Sequence, residues 1–147
     1  MSFFSSLDIS ASGLTAQRLR MDTISQNIAN VNTTRTENGT PYRRKAVIFE
    51  ERSLSTPFSD YLSEESKDKY TGKGVRVAKI IEDSSSFKKI YDPGHPDADK
   101  DGYVLMPNVD IITEMVNMIS ATRAYEANVT SINTSKSMAM KALEIGK

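Results

Sequence analysis

Apolar residues recur at heptad spacing at both ends of the chain and nowhere else. Leu7, Leu14, Met21 and Ile28 stand seven apart, and Ile24 and Val31 lie three beyond the last two. A period near 3.5 marks a helix with a narrow apolar seam. The spacing predicts a helix from about Ser5 to Ala29, ended by Asn30 and Asn32, which suit turn or left-handed conformations. Near the other end Ile111, Met115, Met118, Thr122, Tyr125, Val129, Ile132, Lys136, Ala139 and Leu143 follow alternating steps of four and three. No Gly or Pro falls between Pro107 and Gly146. That predicts a second helix of about 35 residues, roughly 50 Å long, with Asn108 or Asp110 as its N-cap.

Between the helices the pattern changes to period two. "YRRKAVIFE" (42–50) mixes strand formers with charge after the turn signal Asn38-Gly39, and "GVRVAKIIE" (74–82) alternates as an edge strand does. Residues 86–107 read as two short strands joined by a Pro/Gly/Asp turn, and the stretch 53–74 as a loop. The expected fold class is therefore mainly α with a small β part, and long N- and C-terminal helices flank short strands and loops.

The polar positions pose a question. The stretch "TAQRLRMDTISQNIANVNTT" (15–34) has its apolar stripe, but its back is Ser, Thr, Asn and Gln where a solvated helix would show Glu, Lys and Arg. The first 34 residues carry only Asp8, Arg18, Arg20 and Asp22 as charges, and residues 109–147 are similarly depleted. A helix packed on several sides cannot bury unpaired charges cheaply, whereas small uncharged side chains allow close approach. One chain of 147 residues is too small to cover both faces of two such helices, so the expectation is that other subunits supply the remaining cover. Intrinsic propensity is poor for helices so rich in Ser, Thr and Asn, and the ends are expected to order fully only on assembly.

Composition narrows the chemistry. Nineteen basic residues balance nineteen acidic ones, which gives no electrostatic case for nucleic acid or an anionic membrane. There is no cysteine, so disulfides and thiolate metal sites are excluded. The N-terminal sequence "MSFFSSLDISASG" lacks the basic start and apolar run of a signal peptide, and no stretch reaches the length of a membrane span. Such a chain either stays in the cytoplasm or leaves by a route that needs no cleaved signal.

Few motifs carry chemistry. "DADKDG" places Asp97, Asp99 and Asp101 at the first acidic positions of a calcium loop with Gly102 at the sharp turn. The loop then fails, because its last ligand position is Asn108, and an acidic turn before a strand is the better account. His95 lies between two prolines with no nucleophile beside it and reads as a turn residue. Gly72-Lys73-Gly74 is too short for a phosphate loop, and Arg43-Arg44-Lys45 reads as a solvated strand face offset by Glu50 and Glu51. Three Asn-x-Thr sequons, at Asn32, Asn38 and Asn128, are short enough to arise by chance. No enzyme activity and no cofactor are indicated.

At both ends the chain also resembles a known family. "SGLTAQRLRMDTISQNIANVNTT" near the start and "PNVDIITEMVNMISATRAYEANVTSINTSKSMAMKALEIGK" at the end are similar to the axial proteins of the bacterial flagellar rod, hook and filament. "YDPGHPDADKDGYVLMPNVD" narrows the likeness to rod subunits of the proximal basal body. After the first helix the family often has Gly followed by an aromatic residue, where this chain has Pro41-Tyr42.

The resemblance implies a structural subunit of the proximal rod, assembled helically into a hollow drive shaft that transmits torque and encloses the export channel. Its terminal helices would pair as an antiparallel coiled coil, making residues 1–34 and 108–147 one assembly domain, with 35–107 a small β-rich and loop region. The N-terminal seam would be Leu7, Leu14, Met21, Ile24, Ile28 and Val31. Its partner would be Ile111, Met115, Met118, Tyr125, Val129, Ile132 and Leu143. Implied partners are the chain itself and other rod proteins, the MS-ring adaptor at the rotor base, the distal rod and the flagellar type III export apparatus. The implied location is the periplasmic part of the basal body, reached without a cleaved signal peptide. The rival reading is a cytoplasmic helical adaptor or coiled-coil binding module, which should carry charged flanking positions that these ends lack.

Overall fold

The computed structural model describes residues 3–52 and 74–145. Two long helices frame four short strands: α1 (Phe3–Ala29), β1 (Lys45–Glu51), β2 (Val75–Glu82), β3 (Lys88–Tyr91), β4 (Tyr103–Met106) and α2 (Ile111–Ile145). The fold is thus mainly helical with a small β part. The loop expected at 53–74 lies outside the described residues except for Gly74.

Both helices match the lengths that the heptads predict, and their ends have local causes. Asp110 caps α2 by accepting hydrogen bonds from the Thr113 N–H (3.0 Å) and the Thr113 hydroxyl. At the end of α1 the chain leaves through turns, with Asn30 N–H donating to the Gln26 carbonyl and Thr33 N–H to that of Asn30. Neither asparagine is left-handed, since among the described residues only glycines have positive φ. Inside the helices many hydroxyls and amides donate to a carbonyl one turn back: Thr15 to Ala11, Thr23 to Leu19, Thr122 to Met118, Asn128 to Ala124 and Thr130 to Glu126. Bonding back onto its own backbone makes such a side chain compact and nearly indifferent to its neighbour's polarity.

The strands make two separate antiparallel pairs, β1 with β2 and β3 with β4. In the first, Lys45 faces Glu82 and Glu51 faces Val75, with an irregularity between Ile48 and Phe49. In the second, Tyr91 faces Tyr103, and their rings meet edge to face at 5.3 Å. The Pro/Gly/Asp segment between β3 and β4 is the hairpin's loop.

α1 lies between the other elements, with α2 along one side and β1–β2 on another. This corrects the expectation that its uncharged back must face other subunits. Part of that back is covered by the chain's own hairpin, where Thr15 borders Val75 and Val77, Thr23 borders Ala46 and Val47, and Asn27 bonds to Lys45. The apolar core is small: Ala16, Ile24, Tyr42, Val104, Val109 and Ala121 are buried.

Candidate functional site: the helix seam and its buried polar knot

Contacts between the two helices run in reverse order along them. Asn27 meets Glu114, Met21 meets Thr122, Gly13 meets Asn128, and Ser10 lies 3.4 Å from Ser131, hydroxyl to hydroxyl. The buried positions of α2 are Glu114, Ala121 and Ser135, and Asn128 is half-buried in the same heptad series. The inner face of α2 is therefore made of small and polar residues.

The expected seam residues distribute unevenly. On α1, Ile24 is buried, while Leu7, Leu14, Met21 and Ile28 are half-buried; Val31, expected in the same seam, lies half-buried in the turn beyond the helix end. On α2, Met118, Tyr125, Val129 and Ile132 are half-buried, but Ile111, Met115 and Leu143 stand in the open at 45%, 54% and 75% exposure. Ranking positions by apolarity points one step away from the face that meets α1. The fully buried positions favour small side chains because they let the backbones approach, and Ile111, Ile112, Met115, Val116 and Ile119 point outward.

At the end of α1 nearest the start of α2 the seam turns strongly polar. Asn27 and Glu114 are both fully buried. Asn27 Oδ1 accepts from the Lys45 N–H (2.9 Å) and the Tyr42 hydroxyl (3.0 Å). Its Nδ2 donates to the Lys45 carbonyl (2.8 Å) and to Glu114 Oε2 (2.8 Å). All four hydrogen-bonding positions of the amide are filled. Arg44 supplies the counter-charge, its Nε and one terminal nitrogen each 2.9 Å from Glu114 Oε1. A buried carboxylate is tolerable only when paired and hydrogen-bonded in this way.

Further residues hold that arginine in place. Asn108 Oδ1 accepts the Arg44 N–H (2.8 Å), and its Nδ2 donates to the Asp83 carbonyl and the Ser85 hydroxyl. Arg43 stacks over the Phe87 ring at 4.3 Å and donates to the Asp83 carbonyl. Hydrogen bonds from the Ser85 N–H and hydroxyl hold the Asp83 carboxyl below its ordinary range, helped by Arg44 and Arg43. Burial, with the carboxylates of Glu82 and Glu114 nearby, pushes the Tyr42 phenol above its ordinary value and keeps it a protonated donor.

The basic triplet is thus not a solvated strand face, and of the two cap candidates Asp110 caps α2 while Asn108 holds Arg44. Sequence reasoning missed the roles of the triplet, Asn27 and Glu114, because it looked for apolar positions in the seam. One signal was available: Glu114 is a lone acid among Ile111, Ile112, Met115 and Val116.

The other singled-out residues serve local geometry. His95 Nδ1 accepts from the Asp97 N–H (3.1 Å) within the β3–β4 loop. Asp97 accepts from the Thr34 hydroxyl and Asp99 from the Lys100 N–H. Among the described residues no group of three or more His, Cys, Asp or Glu is placed to hold a metal ion. No described helix is long and apolar enough to cross a membrane.

Two family models match the helical ends of the chain. The family described as "Flagella basal body rod protein" matches residues 7–35, and "Flagellar basal body rod FlgEFG protein C-terminal" matches residues 100–145. The flagellar basal-body rod protein FlgC of Bacillus subtilis (strain 168) is 54% identical over the whole of both chains. That of Borreliella burgdorferi is 54% identical over 99% of this chain and 98% of its own. FlgC of Escherichia coli O6:H1 is 42% identical across the full length of both. The chain belongs to the FlgC family of flagellar basal-body rod proteins. It is a structural rod subunit and not an enzyme. Asn27, Asn108 and Glu114 fall within the segments matched to rod families, while Tyr42, Arg44 and Asp83 lie between them.

Proposed function

We propose that the chain is a subunit of the proximal rod, where α1 and α2 pair as an antiparallel coiled coil. Residues 1–34 and 108–147 form the assembly domain, and residues 35–107 form a small β-rich and loop region. Copies of the chain and other rod proteins wind together into a hollow shaft that transmits torque and surrounds the export channel. The MS-ring adaptor lies at one end and the distal rod at the other. Subunits arrive through the flagellar type III export apparatus without a cleaved signal peptide, and the shaft stands in the periplasmic space. The assembly residues are Leu7, Leu14, Met21, Ile24 and Ile28 on α1, and Val31 just beyond its end. On α2 they are Ile111, Met115, Met118, Tyr125, Val129, Ile132 and Leu143.

One observation carries this reading. α2 alone exposes nine large apolar side chains, Ile111, Ile112, Met115, Val116, Ile119, Met138, Met140, Leu143 and Ile145, more than the six buried apolar residues among those described. An apolar surface of that extent marks an interaction site. Rod-family membership supplies the kind of partner, other rod subunits packing helix against helix.

The test is the double variant Ile112→Asp/Val116→Asp, placed on the outward face away from the knot. Purified, it should keep the helix content of the parent by circular dichroism. In cells lacking the native protein it should leave hook–basal bodies absent and swimming abolished. Normal basal bodies with this variant would overturn the reading.

A further inference from the structure

The described elements are not joined with equal firmness. β1 runs alongside α1 in the opposite sense and is fixed to it at both ends. At one end Asn27 takes both the N–H and the carbonyl of Lys45. At the other, Ser12 Oγ accepts the Val75 N–H (3.1 Å), the Arg52 N–H donates to the Gly74 carbonyl, and Arg52 pairs with Asp8. The fifteen helical steps from Ser12 to Asn27 span roughly 22 Å, and the seven steps from Lys45 to Arg52 span about 23 Å of strand. Helix and strand therefore match in length between the two fastenings, like a rod and its splint.

α2 has no such splint. Among the described elements it packs on α1 alone. Along the seam it offers the buried Ala121 and Ser135 and the half-buried Met118, Tyr125, Asn128, Val129 and Ile132, all uncharged. Its one fully buried, charge-paired contact is Glu114 at its first turn, gripped by Asn27 of α1 and Arg44 beside β1. Beyond Ser135 its side chains are exposed, apart from the half-buried Ala139.

We infer that Glu114 is the joint of the molecule: it fastens α2 to a rigid unit made of α1 and the β1–β2 hairpin, and the far half of α2 is an adaptable arm. The asymmetry lies in Asn27. Loss of the Glu114 carboxylate takes away one of the two bonds made by Asn27 Nδ2 and leaves its three bonds to Lys45 and Tyr42 intact. Arg44, with 27% of its side chain exposed, turns to water. Loss of the Asn27 amide undoes both attachments together. Asn27 is the positioning residue for both, and Glu114 for α2 only. This assignment does not depend on how the chain assembles.

Hydrogen exchange with mass spectrometry on the isolated full chain tests it. Glu114→Ala should lower amide protection over residues 112–124 by roughly tenfold or more, with residues 13–27 and 45–51 changed less than about twofold. Asn27→Ala should lower protection in all three segments. Glu114→Gln, which keeps the shape and one acceptor oxygen, should recover part of the loss in α2. Loss of protection in α1 and β1 together with α2 in Glu114→Ala, general unfolding included, would overturn the inference. Full protection of α2 in that variant would overturn it too, as would an unmodified chain with no protection over 112–121.

Discussion

A Cβ added to Gly13 would stand 3.0 Å from both side-chain termini of Asn128, whose Nδ2 is already bound to the Ala124 carbonyl at 2.8 Å. Two opposing terms meet at this residue. Alanine gains about 1 kcal/mol of helix propensity over glycine, and the Asn128 side chain can shift by tenths of an ångström, so Gly13→Ala should be close to neutral. Gly13→Val adds two methyl groups where the helices touch and should lose about 1–3 kcal/mol in thermal unfolding. Asp110 gives the second residue-scale prediction. The Thr113 hydroxyl and N–H, with Lys88 a lesser influence, hold its carboxyl below the ordinary value of 3.8. A depressed carboxylate contributes stability that is complete above its unfolded value and disappears as pH falls through the native one. Helix content should therefore fall below about pH 4 in the parent, and Asp110→Ala should lack that part of the acid transition. A circular dichroism titration of the two proteins reads the difference.

At the scale of elements, the heptads of both ends specify the helices almost to the residue, from Phe3 to Ala29 and from Ile111 to Ile145. Alternation and turn residues likewise place all four described strands. Less legible was the face each helix turns inward. Apolarity is a good guide when a helix buries its greasiest side in its own core. Here the inward face of α2 is Glu114, Ala121, Asn128 and Ser135, and the greasy side remains outside. The knot was hidden for a related reason, because its partners come from residues 27, 42–45, 83–85, 108 and 114, and no local pattern links them. Gly74 shows how closely hairpin and helix fit. Its φ is +88°, and a Cβ there would collide with Ser12 Oγ. Gly74→Ala should cost about 1–3 kcal/mol, and in a Ser12→Ala background the same change should cost less, since the obstructing oxygen is gone. Denaturant unfolding of the four-protein cycle measures that coupling.

For the whole molecule, a few buried apolar residues and a long exposed apolar helix face describe a subunit whose packing is completed by others. FlgC-family membership explains that surplus, and the charge-poor helices fit a chain wedged among neighbours. The most direct measurement is an electron cryomicroscopy reconstruction of purified basal bodies containing this chain. The account predicts α1 and α2 side by side in the inner layer of the rod, with Ile112, Val116 and Ile119 against adjacent subunits and the β1–β2 hairpin still splinted to α1. A reconstruction with that apolar face in solvent, or with α2 separated from α1 at Glu114, would contradict it.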